Sequence, residues 1–233
     1  MPIIVHKMDA SPSARTVLIT AHILDLDIET REVNVLAKEQ LTPEYLEKNP
    51  THTIPLLEDG NFVISDSHAI VIYLVSKYGA EKTATLYSTD LEKRAVIHQR
   101  LFFDATILFP RFLALARDVA YGGAISLDAN KVASVEEAYG FLEKYLERSS
   151  FVAGENLTIA DIACVTTVST LNVMVPVCDQ YPKIKAWLEK LSSKEWYQKF
   201  NQPGLTDFGF LYNSLNSNYR SINKRKKIKF RDL

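Results

Sequence analysis

Near residue 80 the hydrophobic rhythm of this chain changes, and that change limits the available folds more than any single motif does. Upstream, strand and helix signals alternate. "PIIVHK" (2–7) is a short apolar run rich in β-branched residues. "IETREVNV" (28–35) sets Ile28, Thr30, Glu32 and Asn34 against Glu29, Arg31, Val33 and Val35, and both stretches read as strands. Between them Val17, Leu18, Ala21, Leu24 and Ile28 recur at helical spacing, which predicts a helix beginning after "SPS" (11–13). "TPEYLEKN" (42–49) is a short helix with Pro43 early, where a missing N–H is harmless. "IPLLEDGNFVIS" (54–65) gives two short strands with Asp59-Gly60 as the tight turn. "SHAIVIYLVSKYG" (67–79) is a helix expected to stop at Gly79 in the left-handed conformation. Downstream, residues 90–121, 131–147, 158–173 and 183–200 keep helical spacing and lose strand alternation.

The order β-α-β-α-β-β-α is that of a thioredoxin-like sheet, with the first two strands parallel as the simplest arrangement. The expected fold class is therefore an α/β thioredoxin-like N-terminal domain followed by an all-α C-terminal domain. The expected divisions are 1–79, a linker at 80–89, an all-helical unit at 90–217 and a basic, flexible tail at 218–233. The chain is 47% hydrophobic and 24% charged, with only eight glycines and nine prolines, which favours a packed core over disorder. "MPIIVHKMDASPS" lacks the basic, apolar and small-residue sequence of an export signal, and no apolar run is long enough to span a bilayer. Cys164 and Cys178 are then expected as reduced core thiols, and a cytoplasmic location without membrane insertion follows. Net charge is −1, but residues 218–233 carry +6, so the body is acidic. A solvated end is the favoured reading of that run; an anionic-surface contact and an import signal are the others, and no nucleic-acid binding is expected.

Three polar spots interrupt the apolar pattern. In "SDSHAI" (65–70), Ser67 opens a helix whose free amides and dipole attract a negative group, while the adjacent Asp66 attracts a positive one. A ligand end bearing both a carboxylate and an ammonium fits this corner, a plain phosphate does not, and simple helix capping is the competing reading. In "THTIPLLE" (51–58), Pro55 either opens an edge strand or follows Ile54 through a cis bond. In "DASPSARTV" (9–17), Ser11 stands at a helix mouth; Ser11-Pro12-Ser13-Ala14 lacks the Cys-x-x-Cys pair of a redox site, which excludes disulfide exchange. "NLTIADIA" (156–163) carries a capping box between Thr158 and Asp161 and is assigned a purely structural role.

Taken in order, "SPSAR", "HTIP", "SDSHAI" and "FVAGENLTIADI" resemble the cytosolic glutathione transferases. "NPTHTIPLLEDG", "LFFDATILFPRF" and "GLTDFGFL" are similar to the insect delta and epsilon classes, so the chain is identified as epsilon-like. The resemblance implies a homodimer with glutathione as co-substrate and small apolar electrophiles as second substrates. It makes Ser11 the catalytic serine, and places His52, Thr53, Ile54 and Pro55 beside the middle of the tripeptide. Asp66 and Ser67, followed by His68, would hold the γ-glutamyl end, and Gln40, where the family often has histidine, the glycyl end. Met8, Ala10, Phe109, Phe112, Leu113, Ala116 and Phe210 would contact the second substrate, with Phe208 and Phe210 following a turn at Gly204. Departures are Ser13 and Ala14, where the family reads Pro-Cys, and Leu113, where a second arginine after Arg111 is common.

The implied reaction is attack by glutathione thiolate on an electrophilic carbon, or elimination from a halogenated substrate. A weakly catalytic carrier of hydrophobic ligands and a glutathione-dependent isomerase are the alternatives on this fold. A translation-factor-like interaction module has no need of Ser11, Asp66 and Ser67. His68 reads mainly as a satisfied helical histidine; His6, His22 and His98 have no partner cluster in the sequence, and no metal site is expected.

Overall fold

The computed structural model describes residues 2–120 and 126–229, with backbone alone at Thr83 and 216–229. The expected helix end at residue 121, the side chains of the basic tail and its residues 230–233 lie outside the described residues. The N-terminal half runs β1 (Ile3–Lys7), α1 (Pro12–Ile23), β2 (Ile28–Glu32), α2 (Pro43–Lys48), β3 (Leu56–Asp59), β4 (Phe62–Ser65) and α3 (Ser67–Tyr78). The sheet order is β2-β1-β3-β4. β1 and β2 are parallel, with Ile3 opposite Ile28, and β3 is antiparallel to both β1 and β4. Alternation sends Leu57 into the main core with α1 and α3, and Leu56 into a smaller cluster with Val33 and Tyr45 of the α2 side.

Downstream come α4 (Thr83–Leu86), α5 (Leu91–Phe103), α6 (Phe109–Ala120), α7 (Ala129–Leu146), α8 (Ile159–Met174), α9 (Pro182–Ser192) and α10 (Gln202–Lys229). α8 is buried on nearly every side, which its unbroken apolar and small residues allow, and it packs against α1 and α5. Its start is tied down by Asp161, which accepts from Thr158 N at 2.9 Å, Thr158 Oγ1 at 3.0 Å, Val152 N at 2.8 Å and Trp187 Nε1 at 3.2 Å. Burial lifts the Asp161 carboxyl to about 6 against the pull of these donors. Among the described residues no helix is long and apolar enough to cross a membrane.

The α/β thioredoxin-like half followed by an all-α half is the expected fold class, with local corrections. Gly79 ends α3 in the right-handed region, at φ −69, and the left-handed residue is Ala80, at φ 44. The hairpin turn is Gly60-Asn61, because Asp59 pairs with Phe62 and Gly60 takes the positive φ. The helical spacing read over 90–121 is interrupted by a π-helical turn at Asp104–Leu108. Cys164 is buried, whereas Cys178 is exposed on the link after α8, and both are free thiols. Gly204 is not a turn but part of α10: a Cβ there would stand 2.2 Å from Asp9 O and 2.5 Å from Arg15 Cδ, so only glycine lets α10 lie against the β1–α1 loop.

Candidate active site

Register gathers the three polar spots. His6 pairs with Leu56 and Leu56 with Ser65, so the end of β1, the start of β3 and the end of β4 share one sheet edge. The chain leaving β1 reaches Ser11, the chain entering β3 passes through Ile54-Pro55, and the chain leaving β4 reaches Asp66 and Ser67. Both α1 and α3 therefore begin at this edge, with their unpaired amides and positive dipole ends. The Ile54-Pro55 bond is cis.

Ser11 is the N-cap of α1, with φ −77 and ψ 120. Its Oγ accepts from Ala14 N at 3.4 Å, its own N–H donates to Met8 O at 2.9 Å, and its hydroxyl proton has no acceptor among the described residues. A weakly engaged hydroxyl with a free proton is equipped to donate to an anion.

Behind the Ile54 strand entry, the wholly buried Asn49 organises the loop. Its Nδ2 donates to Thr53 O at 2.8 Å and its Oδ1 accepts from Thr51 N at 3.2 Å, while Tyr45 Oη also donates to Thr53 O at 2.7 Å. His52 and Thr53 are consequently held at the surface, His52 with φ 47. Gln40 Nε2 donates to Val35 O at 3.3 Å, leaving a second amide proton, while its Oε1 is buried without a partner among the described residues.

At α3, Asp66 takes the unusual φ of 71, fixed by its Oδ1 accepting from His68 N at 2.9 Å and Ala69 N at 3.0 Å. The amide and hydroxyl of Ser67 have no partner among the described residues, so donors and an exposed carboxylate stand side by side. His68 turns inward: its Nε2 is 2.8 Å from Asp104 Oδ2, and its Nδ1 is 3.5 Å from Asp66 Oδ1. Burial pulls the imidazole pKa down, but Asp104 and Asp66 outweigh it and raise it to about 9, so His68 is a cation between two carboxylates. The imidazole beside Asp66 and the amides it caps hold the Asp66 carboxyl below the usual range. Asp104 is only 3% exposed and lies in the π-helical turn before α6, so this chain of charges joins the two halves of the molecule.

On the apolar side, Phe109 and Phe112 have ring centroids 5.7 Å apart, Phe112 and Phe208 5.6 Å, and Phe208 stacks on Tyr212 at 6.3 Å. Leu113 and Ala116 are half-buried on the same helix, Met8 is half-buried and Ala10 is buried. Phe210 is not brought to this cluster; it stands 76% exposed on α10, because Phe208 has taken the inward position. Arg111 is tied to α7, donating to Ser134 Oγ and Glu137 Oε2 at 2.6 Å each. Groups able to hold a metal are absent among the described residues.

Sequence reasoning missed Asn49, Asp104 and Arg15 as organising residues. The first is signalled by Asx-turn chemistry in "NPT", the second by a lone charge inside the apolar "LFFDATILF", and the third by an arginine flanked by buried positions of α1.

The sequence matches the family models "Glutathione S-transferase, N-terminal domain" over residues 5–82 and "Glutathione S-transferase, C-terminal domain" over residues 105–195. It is 44% identical to glutathione S-transferase 1 of Manduca sexta over 207 residues, 88% of this chain and 94% of that protein. It resembles the solved epsilon-class glutathione S-transferase of the housefly Musca domestica, with 39% identity, TM-score 0.88 and coverage of 92% of this chain and 98% of the other. A glutathione transferase homolog from Drosophila mojavensis, solved with bound glutathione, is similar at 40% identity, TM-score 0.87 and coverage of 91% and 97%.

Proposed function

The chain belongs to the glutathione S-transferase family, with insect epsilon- and delta-class proteins as its relatives, and we propose that Ser11 holds the sulfur of glutathione as a thiolate by donating its hydroxyl proton to it. Glutathione is the co-substrate of this enzyme family. The single observation that carries the reading is the uncommitted hydroxyl of Ser11 at the mouth of α1, on the same sheet edge as the corner made by Asp66 and Ser67. The ammonium of the γ-glutamyl end pairs with Asp66, and its carboxylate takes the Ser67 amide and hydroxyl at the start of α3.

A free thiol titrates near ~8.5 and is mostly protonated at neutral pH. Lowering that value by about two units requires roughly 2.7 kcal/mol. A hydrogen bond to the charged sulfur contributes about 1.5–3 kcal/mol, and a helix N-terminus about 0.3–1 kcal/mol. Together they suffice without a general base; the proton leaves to water.

The thiolate then attacks an electrophilic carbon of a small apolar substrate. The new C–S bond forms as the leaving group departs with its electron pair. Phe109, Phe112 and Phe208 offer the apolar wall for that substrate. The working unit we propose is a homodimer, and the exposed Phe102 of α5 is apolar surface suited to being covered by a second copy.

Ser11→Ala tests the reading. Thiolate absorbance of bound glutathione, titrated with pH, is expected to move alkaline toward the free value, and kcat/KM to fall about 10- to 100-fold. An unchanged thiol pKa in Ser11→Ala overturns it.

A further inference from the structure

Arg15 is 0% exposed, one helical turn inside α1 from Ser11. A buried guanidinium normally faces a carboxylate, because moving an unpaired charge out of water is costly. Here no carboxylate lies within ion-pair distance among the described residues. Arg15 Nε donates to Ser11 O at 3.4 Å, Nη1 donates to Asn201 O at 3.1 Å, and Nη2 donates to Thr170 Oγ1. All three acceptors are neutral. Burial lowers the pKa of the group only to about 10, so it keeps its charge at neutral pH.

The surroundings keep the charge dry. Thr170 lies in the buried α8, Asn201 is wholly buried at the turn into α10, and Gly204 brings α10 directly against the Arg15 side chain. The ionisable groups that feel Arg15, namely Tyr197, Asp9 and Asp207, act at longer range, and Asp9 is already bonded to Lys7. A fixed cation with no bonded counter-ion keeps part of its field in this dry setting, and the start of α1, whose Ser11 carbonyl it bonds, lies within that field.

We infer that Arg15, bonded only to neutral groups behind Ser11, is an electrostatic positioning residue that adds fixed positive charge to the mouth of α1 and so helps hold the glutathione sulfur ionised. This rests on the Ser11 reading. Arg15 does not touch the sulfur; its action is through space, and through the Ser11 backbone that it grips. An alternative role as a staple between α1, α8 and α10 predicts lost stability alone.

The test compares full-length Arg15→Gln, Arg15→Lys and Thr170→Asp with wild type, reading thermal stability and the pKa of the bound thiol by thiolate absorbance. Arg15→Gln removes the charge and is expected to raise the thiol pKa by about one unit, a tenfold smaller thiolate fraction below it. Arg15→Lys keeps the charge while losing the fork, and is expected to lower stability with the thiol pKa near wild type. Thr170→Asp leaves Arg15 in place but pairs it with a carboxylate, so it is expected to raise the thiol pKa even where Arg15→Gln does not fold. A thiol pKa unmoved in Arg15→Gln or in Thr170→Asp overturns the inference, as does a shift in Arg15→Lys equal to that in Arg15→Gln. Ser11→Ala, run alongside, separates the two readings. If it moves the thiol pKa and the charge variants do not, only the Arg15 inference fails; if the charge variants move it and Ser11→Ala does not, the Ser11 reading fails.

Discussion

Two helices begin at the same sheet edge and are capped in opposite styles. α1 starts with a neutral hydroxyl, Ser11, backed by a buried cation, Arg15. α3 starts with a carboxylate, Asp66, backed by His68, which is itself anchored by the buried Asp104. The first end carries a buried cation bonded to no carboxylate, which suits a thiolate. The second mixes a carboxylate with free donors, which suits an amino-acid end. Two helix N-termini thus yield two chemistries, although Ser11 caps with φ −77 and Asp66 with φ 71, and the charged side chains behind each cap, Arg15 and His68, decide which.

The largest expected effect is on the α3 side. Asp104→Asn leaves His68 without its main counter-charge, and unfolding in urea is expected to show a loss on the order of 3 kcal/mol near neutral pH. The contrast with α1 weakens if this variant is as stable as wild type. pH reads the same pair. His68 has its folded pKa raised from the ordinary value to about 9, so its stabilisation is fully present below about 6.5 and is lost as pH rises through 9. Denaturation midpoints measured from pH 6 to 10 are expected to fall across that window in wild type and to stay flatter in Asp104→Asn.

Next comes a kinetic division between the two ends. Ser11→Ala is expected to lower kcat/KM about 10- to 100-fold, chiefly through kcat at neutral pH. Asp66→Asn keeps an acceptor for the His68 and Ala69 amides while removing the charge. It is expected to raise the KM for glutathione about tenfold, a loss near 1.4 kcal/mol, with kcat within about twofold. Steady-state kinetics with glutathione varied distinguishes them, and equal effects on kcat would erase the division. The smallest effect is a control on a helix start without chemistry. Thr158→Ala is expected to lower stability by about 1 kcal/mol and to leave the thiol pKa of bound glutathione untouched.

Much of this was legible before any coordinates. The alternation of periods from 2 to 79 is carried by neighbouring residues, so the β-α-β-α-β-β-α order and the parallel β1–β2 pair could be read directly. The Thr158–Asp161 cap could be read for the same reason: its partners lie three residues apart. Glycine was less dependable. Gly204 carries the composition of a turn yet sits inside α10, because contact with Asp9 and Arg15 governs that position and local propensity does not. Phe208 and Phe210 illustrate the same limit, since which of them faces inward depends on how α10 lies against α6.

By itself the sequence determined the order of strands and helices over residues 2–79, the Thr158–Asp161 cap and the polar corners at residues 11 and 66–67, because all of these follow from interactions within a few residues. Tertiary structure alone decided that Arg15 would be buried against Thr170 and Asn201, 155 and 186 residues away, and that His68 would meet Asp104, 36 residues away. Electrostatic energy depends on distance through space and on the water excluded from it, and neither is encoded in the spacing of residues along a chain.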